Sequence, residues 1–262
     1  MLPSTFFKYE DEMGKESSVE MIVQDEDQIR RELEKARIGA EFIAAQRYSD
    51  ADKIRFTKII KEFNALYYNM NQQTWCNMKY RGISVFKPPT DMWIYQELIE
   101  ACRPDLIIET GSAAGGSALF LHDIVQHICP CTVMSIDITH EKLAEKAKES
   151  DIKFLLGSST SFDIVAYIRA YIAANYCQRV MVILDSDHSE EHVYRELIEY
   201  APLVSMGMPL IVEDTNNHTG PRDATEHWFM EHEQYGYRYR KDYMCEKFML
   251  TFNRDGYFER VK

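Results

Sequence analysis

From Leu106 onward the chain predicts an α/β fold: a doubly wound, mostly parallel seven-stranded sheet with an antiparallel C-terminal hairpin and an N-terminal helical extension. Three observations carry the prediction. Short apolar runs alternate with amphipathic stretches of helical length, the pattern of parallel strands covered on both faces. The first such run, Leu106-Ile-Ile-Glu-Thr-Gly111, ends in a glycine turn that opens directly into a helix. Near the C-terminus the alternation stops, and two strand-like segments follow one another without a helix between them. At 262 residues and 45% hydrophobic content the chain can bury a full core in one domain with residues left for an extension.

Residues 1–27 mix Tyr9-Glu10-Asp11-Glu12 with Gln24-Asp25-Glu26-Asp27 and have little apolar period, so they read as a flexible acidic arm. Residues 28–90 form a helical region: Ile29, Leu33, Ala36, Ile43, Ile54, Ile59, Phe63 and Leu66 recur at helical spacing, as a lid or a dimerisation surface would. A link through Trp75, Arg81-Gly82 and Lys87-Pro88-Pro89 follows, and Thr90 or Asp91 is the expected cap of a helix over Met92–Ala101. The α/β domain spans 91–262. Its expected strands are Leu106–Thr110, Thr132–Asp137, Ile152–Leu156, Val180–Asp185 and Pro209–Glu213. The expected helices are Gly116–Ile128, Glu141–Glu149, Phe162–Asn175, Glu190–Leu203 and Ala224–Glu233, and the closing hairpin is Tyr237–Met244 with Lys247–Phe252.

In an open sheet of this kind ligands bind beyond the carboxyl ends of the strands, so the residues that close each strand are the candidates for chemistry. The turn Gly111-Ser112-Ala-Ala-Gly115-Gly116-Ser117 lets a ligand approach the backbone and offers the free N–H groups of a helix start. Glu109 selects among ligands, because a carboxylate there repels a pyrophosphate and attracts an ammonium such as that of S-adenosylmethionine. Asp137 closes the second strand, where it can accept hydrogen bonds from ribose hydroxyls, and Gly157-Ser158-Ser159 after the third is placed for the adenine end. Asp137 equally suits a dinucleotide, but the glycine turn lacks the middle glycine of the dinucleotide fingerprint. A nicotinamide-dependent oxidoreductase is therefore the second reading, and a non-catalytic nucleoside-binding partner the third.

The fourth strand ends in Asp185-Ser186-Asp187-His188 and the fifth in Glu213-Asp214-Thr215-Asn216-Asn217-His218. Adjacent carboxylates repel unless a cation compensates them, so Asp185, Glu213 and Asp214 are the candidate ligands of Mg²⁺, a hard ion that takes oxygen donors. His188 and His218 are the candidate proton acceptors beside Asp185. Asp187 and Asn216 are explained as turn formers, and His122, His127, His227 and His232 as residues of helix surfaces. Trp75, Tyr80, Phe86 and Trp93 either line an acceptor pocket or pack the helical region onto the sheet.

A net charge of −12 excludes a broad nucleic-acid footprint. No apolar run approaches the roughly 20 residues that span a bilayer, so the chain reads as soluble and cytoplasmic, with no membrane association. The six cysteines lack paired metal-ligand spacing and read as reduced thiols.

Several of these segments together resemble one family: Asp91-Met-Trp-Ile-Tyr-Gln96-Glu97, Glu109 through Leu119, Leu184-Asp185-Ser-Asp187-His188, Val212-Glu213-Asp214-Thr215-Asn216 and Gly220-Pro221. The chain is similar, over roughly 71–250, to the cephalosporin hydroxylase family, which also includes rhamnosyl O-methyltransferases. The resemblance implies the Rossmann-like fold of class I methyltransferases, with methylation as the activity, since the chain has no flavin, haem or iron signature. It implies S-adenosylmethionine contacts around Glu109, Gly111, Ser117, Asp137 and His188 and a Mg²⁺ site at Asp185, Glu213 and Asp214; Ser112, Gly115, Ser158, Ser159 and Asp185 are the further expected cofactor contacts. The acceptor expected on this reading is a hydroxyl of a small molecule, a sugar or natural product, and the enzyme is a possible homo-oligomer.

Overall fold

The computed structural model describes residues 4–10, 16–22, 50–68, 71, 73–242, 248 and 250–262, with backbone alone over 4–10, 16–22, 50–54 and 56–57. Residues 28–49 of the expected helical region, and Cys245, lie outside the described residues. Within the expected acidic arm, β1 (Ser4–Glu10) and β2 (Glu16–Ile22) pair antiparallel with Ser4 opposite Ile22. Helix α1 (Asp50–Tyr67) follows, then a 3₁₀ turn at Thr74–Asn77 and the short pair β3 (Lys79–Tyr80) and β4 (Ile83–Ser84).

The α/β domain opens with α2 (Pro89–Cys102). Pro89 suits the first helical position because its missing N–H is one that no helix start can satisfy internally. Thr90 and Asp91 do not cap this helix. They sit inside it, with Thr90 Oγ1 donating to the Leu250 carbonyl and Asp91 accepting from Phe252 N–H at 2.9 Å, so both are spent on fastening a distant loop. The alternation then runs β5 (Leu106–Thr110), α3 (Gly116–Ile128), β6 (Thr132–Asp137), α4 (Glu145–Lys148), β7 (Lys153–Leu156), α5 (Phe162–Ala174), β8 (Val180–Leu184), α6 (Glu190–Tyr200), β9 (Pro209–Val212) and α7 (Thr219–Glu231). The chain closes with β10 (Tyr239–Lys241) and β11 (Tyr257–Arg260).

The seven-stranded sheet has the order β10-β11-β9-β8-β5-β6-β7. β5, β6, β7, β8 and β9 pair in parallel, and β11 runs antiparallel to both β9 and β10. Every residue of β5, β8 and β9 is buried, which requires cover on both faces of the sheet. Leu106, Ile107, Ile108, Ile183 and Leu210 are wholly buried, each stabilising the fold by about 1.5–3 kcal/mol relative to exposure. Among the described residues no helix is long and apolar enough to cross a membrane.

Two expected elements fall elsewhere. The helix over Glu141–Glu149 shrinks to α4, because Ala144 N–H donates to the Ala114 carbonyl at 3.1 Å and holds the preceding residues as a turn against the α3 start. The second strand of the hairpin is β11 rather than Lys247–Phe252. Residues 250–253 give their polar groups to α2 and the loop after β9: Phe252 bonds Asp91 and Asn216, and the Asn253 side chain bonds Asp214 N–H at 2.9 Å.

Candidate active site at the strand tips

The strand order reverses between β5 and β8, since β6 and β7 extend the sheet on one side and β9 on the other. A crevice opens at such a reversal. Gly111 lies across it from Asp185: its φ is +88°, and a Cβ there would run into the Asp185 backbone carbonyl, whose carbon would be 2.7 Å away. Asp185 N–H donates to the Thr110 carbonyl at 3.1 Å, and Gly111 N–H to the Ile136 carbonyl at 2.7 Å. Three strand ends are thus knitted into one floor.

On the β6 side lies a buried carboxylate, that of Glu109. Glu109 is wholly buried; Ser135 Oγ donates to its Oε2 at 2.7 Å, and Ser112 Oγ bonds Ser135 Oγ at 2.8 Å. Its other oxygen, Oε1, is buried without a hydrogen-bond partner among the described residues. Burial pushes the Glu109 carboxyl upward, while Lys87 and the hydroxyls of Ser117 and Ser135 oppose that rise. A buried carboxylate oxygen with no donor is costly, and an incoming ammonium supplies both the charge and the donor it lacks. Asp137, at the tip of β6, accepts from Ala113 N–H at 2.8 Å and Thr139 N–H at 3.2 Å; each carboxylate oxygen keeps a second lone pair for a ligand hydroxyl. Gly115 turns towards helix α4, where an added Cβ would be 2.7 Å from Leu143 and 2.9 Å from Ala147, so its lack of a side chain serves packing. Ser158 Oγ bonds Thr160 Oγ1 at 3.2 Å.

Ser159 Oγ bonds His192 Nε2 at 3.0 Å, and that nitrogen lies 3.6 Å from Oε1 of wholly buried Glu196, which also accepts from Ser186 Oγ at 2.7 Å. The loops after β7 and β8 are joined through this network. The bond to Glu196 raises the His192 pKa from 6.5, burial opposing. A raised histidine pKa means that folding favours the protonated ring, so the stabilisation is complete below 6.5 and fades as pH climbs through the folded value. His192→Gln should therefore lower the melting temperature most near about pH 6 and least near about pH 9; an equal deficit at both would show that the ion pair contributes nothing.

On the β9 side the carboxylates meet cations of the protein's own. Lys87 is 2% exposed; its ammonium donates to Asp185 Oδ2 and, at 2.8 Å, to Glu213 Oε1. Tyr95 OH donates to the same Glu213 oxygen and in turn accepts from Asn253 Nδ2 at 3.0 Å. Burial drives the Glu213 carboxyl up, Lys87 opposes, and Asp185 and Asp91 add to the rise, to about 8. For Lys87 burial pulls the other way, but Asp185, Glu213 and Glu109 outweigh it and hold the ammonium charged. Asp214 adopts φ +59°, a strained value for a residue with a side chain and one found at functional sites.

His188 Nε2 lies 3.2 Å from Asp214 Oδ2 and 3.8 Å from Asp185 Oδ1. Ligand atoms of His188, Asp214 and His218 all lie within 4.8 Å of one another. The two imidazole rings are 4.4 Å apart, and Tyr68 OH bonds His218 Nε2 at 2.9 Å. Burial lowers the His218 pKa and the neighbouring His188 adds to that, whereas for His188 burial is outweighed by Asp185 and Asp214, which raise it. Tyr68 stacks on Trp75 at 4.9 Å and meets Phe252 edge-on at 5.4 Å, while Trp75 contacts Phe86 at 5.7 Å. Of the aromatic candidates, Trp75 and Phe86 therefore wall this end of the crevice. Tyr80 is tied to Asp123 at 2.9 Å, and Trp93 is exposed beside Glu97.

The structure thus gathers Asp185, Glu213, Asp214, His188 and His218 at one end of the crevice, with Glu109, Ser112 and Asp137 at the other. Asp185, Glu213 and Asp214 offer oxygen donors of the kind a divalent ion takes, but the ligand atoms that meet within 4.8 Å belong to His188, Asp214 and His218, and Asp185 and Glu213 are joined through Lys87. Lys87, Tyr95, Asn253 and Tyr68 escape the sequence reading as site residues. His232 is buried within structure, Nδ1 bonding the Phe229 carbonyl at 2.7 Å and Nε2 accepting Tyr239 N–H at 2.9 Å. Cys129 and Cys131 donate to the Pro104 and Thr132 carbonyls, and the described cysteines are free.

Residues 72–261 match the family described as Rhamnosyl O-methyltransferase/CmcI. The rhamnosyl O-methyltransferase of Mycobacterium leprae (strain TN) is 36% identical over 213 residues, 77% of this chain and 90% of that protein. The protein of the same name from Mycobacterium tuberculosis (strain ATCC 25618 / H37Rv) is 36% identical over 182 residues, 69% of this chain and 71% of that one. Among solved structures, "CmcI-N160 apo-structure" aligns with a TM-score of 0.56 at 20% identity over 71% of this chain and 77% of its own. "cmcI-D160 Mg-SAM" aligns with a TM-score of 0.54 at 18% identity over 71% and 78%. At these identities the solved structures speak for the fold.

Proposed function

The chain belongs to the rhamnosyl O-methyltransferase/CmcI family and is an S-adenosylmethionine-dependent O-methyltransferase, and from that premise we propose that it methylates a sugar hydroxyl, of the rhamnosyl class, with the help of Mg²⁺. The observation that carries the cofactor side is the buried Oε1 of Glu109 at a glycine turn, without a hydrogen-bond partner among the described residues. In this reading Glu109 takes the ammonium of the donor, Asp137 its ribose hydroxyls, and the loop of Ser158 and Ser159 borders the adenine.

Asp185, Glu213 and Asp214 are the residues that would hold Mg²⁺, which when bound acidifies a coordinated hydroxyl and orients it towards the methyl group. His188 is the proposed proton acceptor. Its Nε2, between Asp185 and Asp214, is where an imidazolium is stabilised once the acceptor hydroxyl has given up its proton. His218, anchored by Tyr68, positions His188 by ring contact at 4.4 Å. The segment after α1 then covers the crevice: Tyr68, Trp75 and Phe86, with Phe252, form an aromatic wall of the kind on which the apolar face of a sugar ring packs, while water is kept from the reacting atoms.

A panel of rhamnosides incubated with isotopically labelled S-adenosylmethionine and Mg²⁺ tests the reading. Label in the sugar supports it. Binding of NADH with no response to S-adenosylmethionine would select an oxidoreductase instead, and cofactor binding without transfer to any acceptor a non-catalytic role. Glu109→Gln should weaken S-adenosylmethionine binding by about tenfold to a hundredfold in calorimetry, the loss of one charge-assisted hydrogen bond, with the fold retained. Unchanged affinity would remove Glu109 from the cofactor site.

A further inference from the structure

Lys87 sits where an ion shared by Asp185 and Glu213 would have to sit. Its ammonium donates to Oδ2 of the first and, at 2.8 Å, to Oε1 of the second. A magnesium ion joined to those two oxygens requires bonds of about 2.0–2.1 Å, so ion and ammonium would overlap. The side chain is 2% exposed, and the backbone aims it inward. Phe86, just ahead, is held at φ +61°, a conformation that a residue with a side chain adopts only when its surroundings impose it. Pro88, just behind, is extended and leads into α2, whose Tyr95 completes the donors on Glu213. Lys87 is therefore built into the carboxylate cluster from both flanks.

We propose that Lys87 is a resident counter-cation that competes with the divalent ion for Asp185 and Glu213, so that metal entry displaces its ammonium. The proposal rests on the Mg²⁺ reading above and adds a consequence: the metal-free protein keeps its carboxylates together through Lys87, and the same contact sets the concentration at which the ion binds. Adjacent carboxylates repel when ionised, so a cation between them is favoured, and the position between Asp185 and Glu213 has room for one of the two cations at a time.

Mn²⁺ is the probe, titrated into the wild-type protein and into Lys87→Met and Lys87→Gln, with binding followed by calorimetry and unfolding by melting temperature. The variants should bind Mn²⁺ at least about tenfold tighter, because a competing charge has gone. Without metal they should melt below the wild type, and Mn²⁺ should raise their melting temperature by more than it raises that of the wild type. Equal or weaker binding to a folded variant overturns the proposal and leaves the metal reading standing; no binding to wild type or variant overturns both. A further measurement needs no variant. With ¹⁵N-labelled lysine, the slowly exchanging Lys87 ammonium signal should shift or vanish as Mg²⁺ saturates the protein, and its persistence unchanged at saturation overturns displacement.

Discussion

Gly111→Ala loses S-adenosylmethionine binding and much of its folding free energy. At φ +88° a side chain costs roughly 1–2 kcal/mol of backbone strain. The added Cβ also runs into the Asp185 backbone carbonyl, whose carbon would be 2.7 Å away, and pushing β5 and β8 apart adds about 1–3 kcal/mol of overpacking. Such a sum is a large part of a folding free energy on the order of 5–15 kcal/mol. The variant should melt many degrees lower and show no calorimetric heat with the cofactor even at temperatures where it remains folded. A well-folded variant that still bound cofactor would mean that the turn does not face Asp185.

Asp185→Asn is the second large effect, in chemistry rather than folding. Asparagine keeps an oxygen to accept from Lys87 but loses the charge proposed to bind a cation and to steady His188 as an imidazolium. Methyl transfer should fall at least about a hundredfold, the scale seen when one electrostatic contact to a developing charge is removed. Cofactor affinity should change little. Asp185→Ala is a different experiment, because it strips a buried ammonium of one of its two acceptors and should destabilise the fold by roughly 3 kcal/mol or more. Comparing the two by transfer rate and by denaturant midpoint separates the roles; equal rates in wild type and Asp185→Asn would take Asp185 out of the reaction.

The strands and most helices were legible because period and punctuation agree along this chain. The run from Leu106 to Thr110, the glycine turn and the helix from Gly116 each carry their own local signal, and the parallel sheet follows from their repetition. Asp185, Glu213 and Asp214 were legible for the same reason, since a carboxylate that closes an apolar run must emerge at a strand tip. What escaped was fixed by contacts distant in sequence. Lys87 stands in a Phe-Lys-Pro-Pro segment that reads as a solvated link, and nothing local shows that Phe86 turns it inward onto residues 98 and 126 positions away. Asn253 and Phe252 sit in a stretch with strand-like composition, yet their backbone and side chains are spent on Asp91, Asn216 and Asp214. The hairpin partner therefore falls at β11. The signal that could have found Lys87 was charge: three carboxylates predicted to converge, with no basic residue assigned to them.

In the proposed arrangement the methyl donor and the cation occupy adjoining ends of one crevice, the first held by Glu109 and the second led by Asp185. Paramagnetic relaxation tests this most directly, with Mn²⁺ as the ion and S-adenosylmethionine bound to the protein. Mn²⁺ should strongly broaden the S-methyl proton resonance of the bound cofactor, and Asp185→Asn should restore a sharp line while the cofactor stays bound. An S-methyl resonance left unbroadened by Mn²⁺ on the cofactor-saturated wild-type protein would contradict that arrangement.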